Sequence, residues 1–386
     1  MNNMIFSKGL FLAGAVLLSF GCSCPKASAE FSAPVKVILD CDMGYMNDDV
    51  LCLSMLLKAE EKGLVEILGI TLTGGNHFIN ASYVNYGETQ FGSAKNTEEF
   101  LAAVNRADIP VFRGTDYPTD IGRQELRTLD TFYHNLNYAK FNDGYGAIHF
   151  FGSVDPDLLC DSNAAADFLI RSVHENPGEV VIFAIGPTMN IAKAVKQDPD
   201  FAPNVKAVYC MGGAIGEHCM METADSRQAE GIIGANVTPI TEYNVLYDPS
   251  AFETMITAPF PKKYLFPGCC RVNIDEGVAG EIIVRGGKGG VSARWSEHYK
   301  EYIQPYPYWD PMTAYAFLCP DAVKRSAVGY VTVDSDRLSD TFGRTVSISA
   351  DEYEKLPPEQ QALYGQAEII YEMSGFWDYA VNLLCG

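Results

Sequence analysis

The chain has 386 residues, 47% of them apolar and 12% aromatic, with 28 lysines and arginines against 49 acids and a formal net charge of −21. That apolar content supports a packed core and excludes a disordered, charge-rich polymer. The negative field repels phosphate backbones and anionic lipid, so a nucleic-acid polymer is excluded as a partner.

The chain opens with Gly9 to Gly21 (GLFLAGAVLLSFG), an apolar run short for a membrane span and the size of a signal-peptide core. Ala27-Ser28-Ala29 supplies a small-x-small cleavage pattern. Residues 1–29 are therefore expected to be removed on export, and residues 30–386 to form one periplasmic or secreted domain with no membrane span. Lipid attachment through Cys22 is the lesser reading. Removing Cys22 and Cys24 from eleven cysteines leaves 11 − 2 = 9, an odd number that cannot pair completely within one chain. Cys41, Cys52, Cys160 and Cys210 lie in apolar segments and read as small hydrophobes, whereas Cys269 or Cys270 suits a disulfide to another loop.

Beyond the leader, short β-branched runs alternate with helical patterns, which predicts an α/β fold built on a largely parallel sheet. Val35 to Asp40 reads as a buried strand, Asp48 to Lys62 as a helix and Val65 to Thr73 as the next strand. Asn80 to Arg106 reads as mostly helical, with a short strand at Val111-Phe112. Asn163 to Asn176 and Thr188 to Gln197 follow as helices around the strand Val180 to Ile185, and Val205 to Met211 as another strand. Later expectations are helices near Asp248 to Ile256, Val291 to Ile303, Pro311 to Leu318 and Phe376 to Leu384, a strand at Tyr264 to Phe266, and hairpin-like strands from Val328 to Ser349. Gly114 to Asp161 and Ala214 to Ala235 lack periodicity and read as long loops, the kind that often carry function. Gly144 and Gly146 suggest that Asn142 to Gly146 acts as a lid.

The strongest chemical signal is Asp40-Cys41-Asp42-Met43-Gly44-Tyr45-Met46-Asn47-Asp48-Asp49, where a strand runs into a turn and then a helix. Four carboxylates confined at one strand end repel unless a cation or protons neutralise them, and an all-oxygen set suits a hard ion such as calcium or magnesium. The plainer alternative is that Asp48 and Asp49 only favour the positive start of the helix. An EF-hand is excluded, because a strand precedes the segment and position twelve from Asp40 is Leu51. A phosphatase with an aspartate nucleophile fits poorly, since Gly44 stands where Thr or Val is usual and the Asp48-Asp49 pair has no role there.

Two later segments add polar residues: Asn236 to Pro249, with Asn236, Glu242, Asn244 and Asp248, and Tyr308-Trp309-Asp310-Pro311. With these the chain resembles the inosine-uridine-preferring nucleoside hydrolases, whose opening D-x-D-x-G and following D-D match Asp40 through Asp49. Thr73-Gly74-Gly75-Asn76, Ile185-Gly186-Pro187-Thr188-Met189-Asn190, Met211-Gly212-Gly213, Glu242-Tyr243-Asn244 and Asp310-Pro311 follow in the same order, so the likeness runs from about Val35 to the Phe376-Trp377 helix. The resemblance implies an open, mostly parallel mixed sheet flanked by helices, in a single domain. It implies Ca2+ held by Asp42, Asp49, Asp310 and the carbonyl of Ile185. It also implies ribose contacts from Asp48, Asn244 and Asp310, with Glu242, Asn236 and Asn76 on the other hydroxyls. The activity it implies is metal-dependent hydrolysis of the N-glycosidic bond of a small-molecule ribonucleoside, with Asp42 as the base, in a homo-oligomer serving salvage.

The chain departs from the family pattern in three places. Trp309 stands where many members carry a histidine, and an indole stacks on a base but cannot donate a proton to it. Tyr306, Tyr308, His218 and His298 are the candidate substitutes. Met46 replaces a common aspartate, and about twenty residues, including His218 and Glu222, separate Gly213 from Asn236. These departures support a second reading, a calcium-dependent ribose- or nucleoside-binding protein without turnover.

Overall fold

In a computed structural model of the chain, the described residues are 32–44, 48–75, 77–85, 88–119, 158–215, 236–238, 241–273, 307–339 and 341–385. Nine strands form the central sheet: β1 Val35–Cys41, β2 Val65–Leu72, β3 Val111–Arg113, β4 Val181–Ala184, β5 Ala207–Met211, β6 Lys263–Phe266, β7 Val323–Val333, β8 Thr345–Ile348 and β9 Gly365–Met373. Their order is β8-β7-β9-β6-β5-β4-β1-β2-β3. The seven strands from β9 to β3 run parallel, and β7 is antiparallel to both its neighbours. The domain is therefore an α/β fold on a mostly parallel mixed sheet.

Side chains on the two faces of β1 go to different cores. Val37, Leu39 and Cys41 join one, and Ile38 joins the other. The first core is shared with helices α1 Asp48–Glu61, α2 Ser93–Ala103, α7 Pro311–Leu318 and α8 Phe376–Cys385; the second with α3 Ala164–Glu175, α4 Met189–Gln197 and α6 Pro249–Thr257. A short helix, α5 Tyr243–Tyr247, lies just ahead of α6. With helices on both faces, the central strands are mostly apolar, as buried parallel strands tend to be, with Asp40 and Thr71 as buried polar exceptions. Among the described residues no helix is long and apolar enough to cross a membrane.

β1 is where the strand order reverses: β2, next in the chain, lies on one side of it and β4 on the other. In open α/β sheets, ligands bind outside the carboxyl ends of the strands at such a switch point. The crevice here lies past Cys41 and Ala184, between the segments that open with Asp42 and with Ile185.

Two expectations change. The segment read as helical from Asn80 to Arg106 instead begins with a ribbon of Tyr83–Asn85 and Glu88–Gln90, and α2 starts only at Ser93. β-branched and aromatic residues such as Tyr83, Val84 and Thr89 favour the ribbon. β9 was not read from the sequence, because Ile369 and Ile370 serve opposite cores side by side and break the alternation that marks a strand. The helix expected over Val291 to Ile303, the lid at Asn142 to Gly146 and most of both long loops lie outside the described residues.

Candidate active site

The acidic cluster is built from two helix starts. α1 opens with Asp48 and Asp49 in its first turn, and α7 is preceded by Asp310 with Pro311 at its first position. Carboxylates are favoured at the positive end of a helix, and proline suits the first turn because its missing N–H would have had no partner there. The two helices pack against each other in the first core. That packing brings carboxylate oxygens of Asp48, Asp49 and Asp310 within 4.8 Å of one another, all three buried. Asp48 Oδ2 also accepts the backbone N–H of Trp309 at 3.1 Å, which ties α1 to the segment entering α7.

Asp42 is buried at the exit of β1 and stands between two glycines. A methyl group on Gly75 would lie 2.0 Å from its Oδ2, and one on Gly186 would lie 3.0 Å from its Oδ1. These glycines belong to the turns leaving β2 and β4, and only a residue without a side chain lets both turns close on the carboxylate. The cluster's electrostatics include Asp42. Burial pushes the Asp310 carboxyl well above the carboxylate range, and the charges of Asp48, Asp49 and Asp42 push it further. Asp48 is raised as well, first by burial, against the lowering effect of the Trp309 N–H.

Such a site can hold a hard divalent cation. The donors are buried carboxylate oxygens from separate elements, and their mutual repulsion is relieved by a positive charge between them. The Ile185 carbonyl at the end of β4 accepts the Asn244 side-chain amide at 3.0 Å. A carbonyl oxygen has two lone pairs, so this bond leaves one acceptor position.

Glu242 and Asn244 sit at the start of α5. The Glu242 carboxylate accepts backbone N–H groups from Gly213 at 3.0 Å, Asn244 at 2.8 Å and Val245 at 3.1 Å. It caps the helix and fastens it to the turn after β5, so that Asn244 reaches both Ile185 and Met211. Burial raises the Glu242 carboxyl to about 7 despite those donors. The backbone of Asn236 pairs with that of Glu242 in a two-residue ribbon. Asn76 lies outside the described residues. Trp309 is only 5% exposed, and its indole N–H donates to Gly268 O at 2.8 Å, so little of the ring is open to a ligand.

Asp40, grouped in the sequence with the other acids, turns elsewhere. Its Oδ1 accepts the Thr71 hydroxyl at 2.6 Å and the Asn190 amide at 2.7 Å. Sequence reasoning gave Asn190 no role. Its only signal was a carboxamide at the second position of a helix that otherwise begins with apolar residues. Asp116 also escaped notice. Buried just after β3, it accepts N–H groups from Ile79 and Cys160, each at 2.6 Å, and so holds the loop that follows β2.

Fold and site together define an α/β protein with an acidic, cation-suited crevice at its switch point. The sequence model of the inosine-uridine preferring nucleoside hydrolases matches residues 37–371, and the chain belongs to that family. It is 30% identical over 223 residues to a probable uridine nucleosidase 1 from Oryza sativa subsp. japonica, covering 58% of this chain and 55% of that one. It is 26% identical over 226 residues to the pyrimidine-specific ribonucleoside hydrolase RihB of Escherichia coli, covering 58% and 57%. The match thus spans a little over half the length of these curated relatives. A solved plant nucleoside hydrolase, PpNRh1, shares the fold with a TM-score of 0.60 at 23% identity, covering 91% of this chain and 98% of that one.

Proposed function

We propose that this protein hydrolyses the N-glycosidic bond of ribonucleosides to give ribose and free base, with a calcium ion held in the acidic crevice. The observation that carries the reading is the convergence of Asp48, Asp49 and Asp310 within 4.8 Å at the switch point, beside Asp42 clamped between Gly75 and Gly186. Family membership and the names of the relatives support the substrate class.

Cleavage of an N-ribosidic bond passes through an oxocarbenium-like state, so the site must supply a nucleophilic water, negative surroundings and a fixed sugar. Asp42, Asp49, Asp310 and the Ile185 carbonyl would hold the cation, which when bound supplies acidity to water near neutral pH. Asp42 takes the proton from the attacking water. The surrounding carboxylates stabilise positive charge developing on the sugar ring. Asp48, Asp310 and Asn244 orient the ribose hydroxyls, with Glu242, Asn236 and Asn76 completing the set. Trp309 closes the side wall through its bond to Gly268. Protonation of the departing base falls to a residue other than 309, since indole is not an acid in this range.

Export through residues 1–29 is part of the same proposal. Its support is the disulfide at Cys269, a bond that persists in oxidising compartments, while Cys41, Cys52, Cys160, Cys210 and Cys270 remain thiols in the core. Assembly into a homo-oligomer rests on family resemblance alone.

The test is release of reducing sugar from uridine, inosine and related nucleosides by the purified protein and by Asp42→Ala. Turnover by the parent and none by the variant supports the enzyme. Nucleoside binding without release, in keeping with an indole at 309 that cannot protonate a departing base, supports the binding-protein reading instead.

A further inference from the structure

One side chain, on the helix that follows β4, ties β1 to β2 at the edge of the crevice. Asn190 lies in the first turn of α4, the helix that follows β4, and is fully buried. Its Nδ2 donates to Asp40 Oδ1 on β1 at 2.7 Å and to the carbonyl of Leu72, the last residue of β2, at 3.0 Å. Both amide hydrogens are thus used, one on each strand. Its Oδ1 packs on Gly114, where a methyl group would lie 1.8 Å away. The alternation of β1 places Asp40 on the Ile38 face, the face that α4 covers. Backbone bonds complete the knot: Ile185 N–H to Asp40 O at 2.8 Å, Thr73 N–H to Cys41 O at 2.9 Å and Gly114 N–H to Leu72 O at 2.9 Å.

We propose that Asn190 is a positioning residue of the active site, acting through Asp40 and Leu72 to hold the exits of β1, β2 and β4 in the register that places Asp42 in the cation site. The argument rests on the reading of the crevice as a cation-dependent hydrolase site. Asp42 follows Asp40 by two residues, and the walls that confine its carboxylate, Gly75 and Gly186, stand on the turns leaving β2 and β4. A slip between any two of these strand ends moves the carboxylate relative to its walls. Asn190 touches neither Asp42 nor the cluster of Asp48, Asp49 and Asp310. Its contribution is made through geometry, in the way that outer-shell partners orient the groups that bind a metal.

The experiment compares three variants with the parent in uridine turnover, calcium affinity by calorimetry and thermal unfolding. Asn190→Ala removes the clamp. Gly114→Ala pushes on Asn190 from the opposite side, at a position outside the site. Ile191→Ala, the next residue on α4 and equally buried, is the structural control. For Asn190→Ala and Gly114→Ala the expected result is a loss in kcat and in calcium affinity of about tenfold or more each, with KM changed much less. Ile191→Ala is expected to lower the melting temperature while leaving kcat, KM and calcium affinity near the parent values. If Asn190→Ala does not fold, Gly114→Ala decides the question. Parent-like kcat and calcium affinity in a folded Asn190→Ala or Gly114→Ala overturns the proposal, and so does an equal loss in Ile191→Ala. A parent protein that binds calcium but releases no ribose refutes the hydrolase reading, and the calcium-affinity arm still decides the role of Asn190.

Discussion

Asp310→Asn is expected to reverse its effect on stability when calcium is added. In chelator, Asp310 faces Asp48 and Asp49 with oxygens within 4.8 Å. Each unit-charge pair at that separation or closer costs at least about 3 kcal/mol at an effective dielectric near 20. Proton sharing between Asp48 and Asp310 sheds part of this, leaving a relief on the order of 1–3 kcal/mol when Asn replaces Asp; the amide still donates to Asp48. With an unfolding entropy of about 2.1 cal/mol/K per residue, the variant melts roughly 1–4 °C above the parent in chelator. Calcium at about 100 times its dissociation constant adds about 2.7 kcal/mol to the parent, some 4 °C. The variant has lost a ligand and gains little. Scanning calorimetry of both proteins in chelator and in calcium reads the effect directly. A variant less stable than the parent in chelator, or one with an equal calcium shift, refutes the reasoning.

Gly75→Ala puts a methyl group 2.0 Å from the present place of Asp42 Oδ2, and the flexible carboxylate is what must move. A displacement near 1 Å at the reacting groups costs about a hundredfold in rate, so kcat for ribose release should fall by that order while the melting temperature stays close to the parent's. Asp116 gives a pH signature. Burial raises its carboxyl from 3.8 to about 7, so the folded chain keeps a proton that the unfolded chain releases near pH 4. Its contribution to stability is complete below about pH 4 and declines as pH rises to about 7, by up to about 4 kcal/mol. Denaturant midpoints of Asp116→Asn should therefore fall less steeply than those of the parent between pH 4 and 7, and parallel curves would contradict the assignment.

The acidic turn was legible because its parts are adjacent in sequence. Asp42, Asp48 and Asp49 lie within eight positions at a strand-to-helix junction, where both the repulsion and its remedy can be read without a fold. The proposal of Ile185 as a ligand rests on family resemblance, since a carbonyl leaves no mark on residue type. The alternating runs gave the parallel strands β1 to β6, whose two-sided burial makes them mostly apolar. What escaped depends on partners far apart in the chain: Asn190 meets Asp40 across 150 positions, and Asp116 meets Cys160 across 44. A carboxamide in a helix and an aspartate after a strand are ordinary in isolation, and only the packed sheet gives them work.

The central claim is that a cation among the carboxylates at the switch point drives cleavage of the ribosidic bond. The most direct measurement is the rate of ribose release from a nucleoside substrate as a function of buffered free calcium. The account predicts a rate that rises with calcium to saturation, vanishes in chelator and returns when calcium is restored. Turnover that persists undiminished in a chelated, calcium-free protein would contradict it.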